Sequence, residues 1–275
     1  MTRIAITGMG LLALLASSAS AQMEARIGAP ESQGLSTAAM EALPKAPAGA
    51  ALPDFCKRYA ANPISEAARS VRGQGWTVTG EAKLGTLNAV SFASKFEPAT
   101  SGTCFIRDGN VALFDGGRLL ALAYAPKGSK SSIGRVEPLE GGNARIWDGD
   151  PPGQPIADLR AEDGRMRIGP VAPLETVCGG KAVVPNIYGM PIDRARKALA
   201  EKGWRPVPGD PNAGDPRFGR ERDLRKRGIV EVDGCSGTGF GDCSFTYKGA
   251  SGGLSVTTMG DADPPVVSGY DATCS

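Results

Sequence analysis

Two stretches of this chain carry the same helix-ending signal, and that repetition constrains the fold more than any other feature. One runs from Pro63-Ile64-Ser65-Glu66-Ala67 to Gly75-Trp76, the other from Pro191-Ile192-Asp193-Arg194-Ala195 to Gly203-Trp204. Pro, Ile, Ala, Gly and Trp coincide at one interval, and Val71 and Leu199 hold equivalent apolar places. A short helix with one apolar face must end at each glycine, and each Trp then opens an extended segment. The pattern predicts an α+β chain of two disulfide-stabilised modules, each a short helix packed on a small antiparallel sheet. The first is the richer in strand, and the likeness fits a diverged duplication. Cys104, Gly116-Gly117 and Leu119 would then match Cys243, Gly252-Gly253 and Leu254.

The start of the chain reads as an address. Arg3 precedes an apolar run from Ile4 to Ala16, and Ala19-Ser20-Ala21 is a small-residue cleavage site. Residues 1–21 are therefore expected to be a signal peptide, residues 22–50 a flexible linker in which a short helix near Ser36–Leu43 is allowed, residues 51–176 a β-rich module and residues 177–275 a second α+β module. No later stretch is apolar enough to span a membrane. Periplasmic or secreted localisation follows, and six cysteines in an exported chain read as disulfides. Cys235 and Cys243 flank a small Gly-rich loop, Cys178 and Cys274 sit at the ends of the second module, and Cys56 and Cys104 remain for the first.

Charge and composition remove several functions. Lys and Arg number 31 against 29 Asp and Glu, so no general pull on nucleic acid is expected. The chain has no histidine, which excludes Ser-His-Asp and Cys-His nucleophile systems and every His-bearing zinc site. No cofactor, metal site or catalytic group is expected. The 38 glycines and 21 prolines favour turns and short strands over long helices.

In the first module Asn62 and Pro63 are placed to start a helix. Strands are expected at Trp76–Thr79, Asn88–Phe92, Cys104–Ile106, Asn110–Phe114, Arg118–Tyr124, Ile133–Val136, Ala144–Trp147, Ile156–Leu159 and Met166–Ile168. In the second, a strand at Val183–Pro185 precedes a helix over Ile192–Lys202. A further helix over Arg217–Arg227 leads to strands at Ile229–Val232, Ser244–Lys248 and Leu254–Thr258.

Val184-Pro185-Asn186-Ile187-Tyr188-Gly189-Met190, with Ala195, Leu199 and Gly203, resembles the opening half of a PASTA domain. The resemblance covers residues 183–207 and implies an extracytoplasmic module of a family that includes peptidoglycan and β-lactam binders. The chain departs from that pattern afterwards, and Pro191 stands where the family often has a Ser or Thr cap. The same residues also suit a plain strand–helix unit. The stretch from Glu231 to Tyr247, with Gly203-Trp204, is similar to a pattern in small exported bacterial proteins of unknown function.

The candidate ligand contacts are Tyr188, Trp204, Arg217, Arg220, Arg222 and Phe240. The arginines suit an anionic glycan or stem-peptide carboxylates, or else form a solvated face. Phe240 either stands at the tip of the Cys235–Cys243 loop or packs inward. The expected function is non-catalytic binding in the bacterial envelope by a monomer, with peptidoglycan or an envelope protein as partner. Inhibition of an extracellular enzyme through the Cys235–Cys243 loop is the first alternative, and a histidine-free hydrolase the second.

Overall fold

A computed structural model describes residues 34–162, 165–210 and 219–275. The expected signal peptide, the first part of the expected linker and Arg217 lie outside the described residues. The fold is mixed α+β, mostly antiparallel sheet with few helices, and it carries three disulfides.

In the N-terminal region the elements are β1 (Ser36–Ala39), α1 (Glu66–Gly73), β2 (Thr77–Leu84), β3 (Leu87–Ala93), β4 (Lys95–Pro98), β5 (Cys104–Arg107), β6 (Asn110–Asp115) and β7 (Arg118–Tyr124). They are followed by β8 (Ile133–Leu139), β9 (Asn143–Asp148), β10 (Pro155–Glu162) and β11 (Arg165–Gly169). A five-stranded sheet of order β1-β7-β6-β3-β2 packs on a four-stranded sheet of order β11-β10-β9-β8. Alternation puts Ala89, Leu113 and Ala121 of the first sheet against Ile133, Ile146 and Leu159 of the second, all buried in one core. The opposite face of the five-stranded sheet buries Val90, Phe92 and Phe114 against Ala67, Ala68 and Val71 of α1. The result is three layers, helix on sheet on sheet.

Two expectations fail here. Residues 36–39 form β1 and not part of a linker or helix: Ser36 pairs with Tyr124 and Ala39 with Ala121. The free edge of β7 offers unpaired backbone groups, and that demand outweighs local propensity. Leu35 is buried beside it. The first helix begins at Glu66 with Ser65 as its N-cap, whose hydroxyl accepts from the Ala68 amide at 3.0 Å. Asn62 is not the cap, because the Glu81 carboxylate takes the Ile64 and Ser65 amides at 2.6 and 3.1 Å and holds that stretch extended.

The C-terminal elements are β12 (Leu174–Val177), β13 (Ala182–Pro185), α2 (Ile192–Glu201), β14 (Arg205–Pro206), α3 (Arg220–Lys226), β15 (Val232–Cys235), β16 (Cys243–Gly249), β17 (Gly252–Met259) and β18 (Val266–Cys274). β16, β17 and β18 form a meander, with β14 and β15 sharing the outer edge of β16. β12 and β13 make a separate hairpin. One core joins Leu199 of α2, Leu224 of α3, Phe245 and Tyr247 of β16, Val256 of β17 and Trp204.

Cys56 is bonded to Cys104, Cys178 to Cys274 and Cys235 to Cys243. Such bonds typically add about 2–4 kcal/mol each, mainly by restricting the unfolded chain. Cys104 opens β5, whose partner is β4 alone, whereas Cys243 opens β16, which pairs with β17 on one edge and with β14 and β15 on the other. The two Cys-led strands are thus paired differently.

Candidate binding site

In β9, Ala144 and Ile146 point into the core, so Arg145 and Trp147 stand on the outer face of the four-stranded sheet. Register sets Arg135 of β8 opposite Trp147, and Glu137 opposite Arg145. On the other side Asp158 of β10 lies opposite Arg145. This charged row is roofed by Glu175 of β12, Tyr188 from the turn after β13, and Tyr270 of β18. Between sheet and roof lies a cleft of about 400 Å³.

Arg145 is the centre of the cleft floor and is only 1 % exposed. A buried guanidinium needs partners on every edge. Its Nε donates to Asp158 Oδ1 at 2.9 Å, its Nη2 to Asp158 Oδ2 at 3.4 Å, and its Nη1 to Glu175 Oε2. Asp158 Oδ2 also accepts from the Ala172 amide at 2.8 Å and from Arg160 Nη2 at 3.2 Å. Tyr270 Oη donates to Glu175 Oε2 at 2.8 Å. Burial pulls the Arg145 pKa down, but Asp158 and then Glu175 outweigh it and hold the guanidinium above its ordinary value. Burial, with Glu175 nearby, pushes the Tyr188 phenol up to about 12. Burial, then Tyr188 and Glu175, push Tyr270 up as well. Both phenols are therefore neutral hydroxyls near pH 7, able to donate and accept.

Three rings line the cleft in a chain. Trp147 and Tyr188 meet nearly at right angles with centroids 5.3 Å apart, and Tyr188 and Tyr270 are tilted by 31° at 4.7 Å. Arg135 lies over Trp147, 4.7 Å from the ring centroid, and its Nε donates to Glu137 Oε1 at 2.6 Å. Beside Trp147, burial pushes the Asp148 carboxyl up to about 6, against the Gln154 amide that it accepts at 2.9 Å. Hydroxyls, guanidinium groups, carboxylates and ring surface suit the binding of a polar ligand with an apolar face. Among the described residues, no group of three or more Cys, Asp or Glu side chains is placed to hold a metal ion.

The residues singled out from sequence are dispersed. Tyr188 lines the cleft. Trp204 is 1 % exposed inside the C-terminal core, and its indole N–H donates to the Val183 carbonyl at 2.8 Å. It is a packing residue, out of a ligand's reach, because a Trp followed by a strand edge is drawn into the core that the helix leaves open. Arg220 is a clamp: its guanidinium donates to the carbonyls of Gly241 at 2.9 Å and of Gly260 at 2.6 Å, tying α3 to the Cys235–Cys243 loop and the β17–β18 turn. Arg222 is exposed on α3, away from the cleft. Phe240 is half-buried, and its carbonyl accepts from the Gly260 amide at 2.8 Å. Sequence reasoning passed over Arg135, Arg145, Trp147, Glu175 and Tyr270. Period-two alternation in Ala144–Trp147 marks Arg145 and Trp147 as sharing a face, but their partners come from strands far along the chain.

Comparison with protein-family models, curated proteins and solved structures finds no match to this chain, so its functional reading rests on this geometry.

Proposed function

We propose that this chain is a non-catalytic, extracytoplasmic binding protein of the bacterial envelope that holds a peptidoglycan segment in the cleft between the four-stranded sheet and the C-terminal region. The observation that carries this reading is the convergence of Trp147, Tyr188 and Tyr270 on one polar cleft, with Tyr188 supplied by the PASTA-like segment. Three disulfides and the absence, among the described residues, of a helix long and apolar enough to cross a membrane are compatible with export to the periplasm or medium. Within this reading the chain is two modules, the first running from β1 to β11 and the second from β12 onward, and the helix–Gly–Trp segments are the remnant of a duplication. The lack of histidine supports binding without turnover.

The rival reading is an enzyme inhibitor. It draws on the Cys235–Cys243 loop, which exposes Ser236 to Gly239 and is braced by the Ser236 amide donating to the Asp242 carbonyl at 2.6 Å. Gly239, however, lies so close to Ser101 that a Cβ there would collide with the Ser101 hydroxyl. That contact turns part of the loop toward the chain's own N-terminal region.

The test is co-sedimentation of the exported chain with purified peptidoglycan. The whole chain is required, because Trp147 and Tyr188 come from opposite sides of the cleft. Binding that falls about tenfold or more in Trp147→Ala is expected, as for truncation of a central aromatic anchor. No co-sedimentation at low or moderate salt would remove the peptidoglycan reading.

A further inference from the structure

The lining of the cleft also selects the part of the ligand that it takes. Its charged groups are two guanidinium groups, Arg135 and Arg145, and three carboxylates, Glu137, Glu175 and Asp271. Both guanidinium groups are already ion-paired, Arg135 with Glu137 and Arg145 with Asp158 and Glu175. An incoming carboxylate would have to displace one of these partners while facing the others. The basic stretch from Arg220 to Arg227 does not line the cleft; within it Arg220 is engaged by backbone carbonyls and Arg227 pairs with Asp263 at 2.5 Å. Over the Trp147 and Tyr188 rings an incoming ammonium fares no better. Arg135 lies 4.7 Å from the Trp147 centroid and Arg145 5.8 Å from that of Tyr188, so positive charge already sits at these rings.

A neutral polar ligand remains. The Asp271 carboxylate is exposed and makes no side-chain hydrogen bond or ion pair among the described residues, so it is open to hydroxyl donors. The Nη groups of Arg135 make no hydrogen bond among the described residues and can donate in turn. Both phenols are neutral, and a ring hydrogen-rich on its face meets the negative face of an aromatic side chain. We infer that the cleft holds an uncharged sugar of the glycan strand, and not the charged groups of the stem peptide.

This inference rests on the peptidoglycan reading above, and one experiment separates the two. The full chain is titrated with the N-acetylglucosamine trimer and with a synthetic stem peptide, following tryptophan fluorescence and heat, beside sedimentation with intact peptidoglycan. Saturable binding of the trimer and none of the peptide is expected. Asp271→Ala should weaken trimer binding about tenfold, the scale of a lost charge-assisted hydrogen bond. Arg222→Ala should leave it unchanged. Peptide binding without trimer binding would overturn the sugar assignment and keep the peptidoglycan reading. Trimer affinity unmoved in both Asp271→Ala and Arg135→Gln would overturn the cleft as its place. Silence of trimer, peptide and intact peptidoglycan would overturn both.

Discussion

The segments ending in Gly75-Trp76 and Gly203-Trp204 stop their helices in the same way and start them differently. Both glycines take a left-handed φ of 86°, which an L side chain adopts only with strain. Both indoles donate to a backbone carbonyl at 2.8 Å, Trp76 to Pro44 and Trp204 to Val183. Ala67 and Val71 are buried as Ala195 and Leu199 are. At the other end the likeness is lost. Ile64 is 81 % exposed and Ile192 fully buried. α2 begins directly after Pro191, whereas Glu81 reaches from β2 to hold Ile64 and Ser65 extended, so α1 starts two residues later in the pattern. The stop is local chemistry, carried by one glycine. The start is decided by whichever distant group claims the free amides.

The sharpest way to break the comparison is to truncate both indoles. Trp204 fills the C-terminal core so tightly that a Cβ on Gly249 would come within 3.0 Å of its ring. Trp204→Ala should cost about 3–5 kcal/mol in chemical denaturation. Trp76 is half-buried in an edge-on contact with Phe92, so Trp76→Ala should cost about 1–2 kcal/mol. Equal losses would mean that the two segments are interchangeable after all. Next in size, Ile192→Ala should cost about 2–4 kcal/mol, and Ile64→Ala no more than about 0.5 kcal/mol. A large loss at Ile64 would contradict its exposure.

Smaller effects belong to the helix starts. Ser65→Ala should cost about 1 kcal/mol through the lost cap. Acid should loosen the start of α1 through Glu81. Burial pushes the Glu81 pKa up, but the Ser65 hydroxyl and the Ile64 and Ser65 amides outweigh it, so the net shift is downward. A lowered folded-state pKa stabilises above the ordinary value of 4.5 and is lost as pH falls through the folded value. Amide exchange at Ile64 and Ser65, compared at each pH with an exposed reference amide, should lose protection on acidification and keep it in neutral buffer. Unchanged protection in acid would show that Glu81 does not set the start of α1.

These contrasts also explain what could be read in advance. The Gly116-Gly117 turn and strands such as Asn110–Phe114 and Arg118–Tyr124 are written in neighbouring residues, and they stand close to where alternation puts them. Cys235 and Cys243 are close enough in sequence to meet across one small loop. β1 was hidden because Ser-Thr-Ala-Ala has no strong preference of its own and takes its shape from β7. The cleft was hidden for a similar reason. Arg145 looks like one more surface arginine until Asp158 and Glu175 close on it, and Glu175 and Tyr270 come from elements whose pairing no local pattern shows. Of the cleft, Tyr188 alone stood out, through the Gly-Met turn that follows it. Trp204 drew attention for its size and belongs to the core for the same reason.

The bond between Cys178 and Cys274 has a mechanical meaning. It closes β13 through β18 into a covalent ring with a sequence separation of 96. Tension applied beyond Cys274 passes through sulfur to Cys178 and on into β12, and the chain between them bears none of it. β18 therefore cannot be peeled from β17 by a pull at that end, and Tyr270 keeps its place on the sheet under load. A chain strained between its two ends would keep the Tyr270 side of the cleft intact.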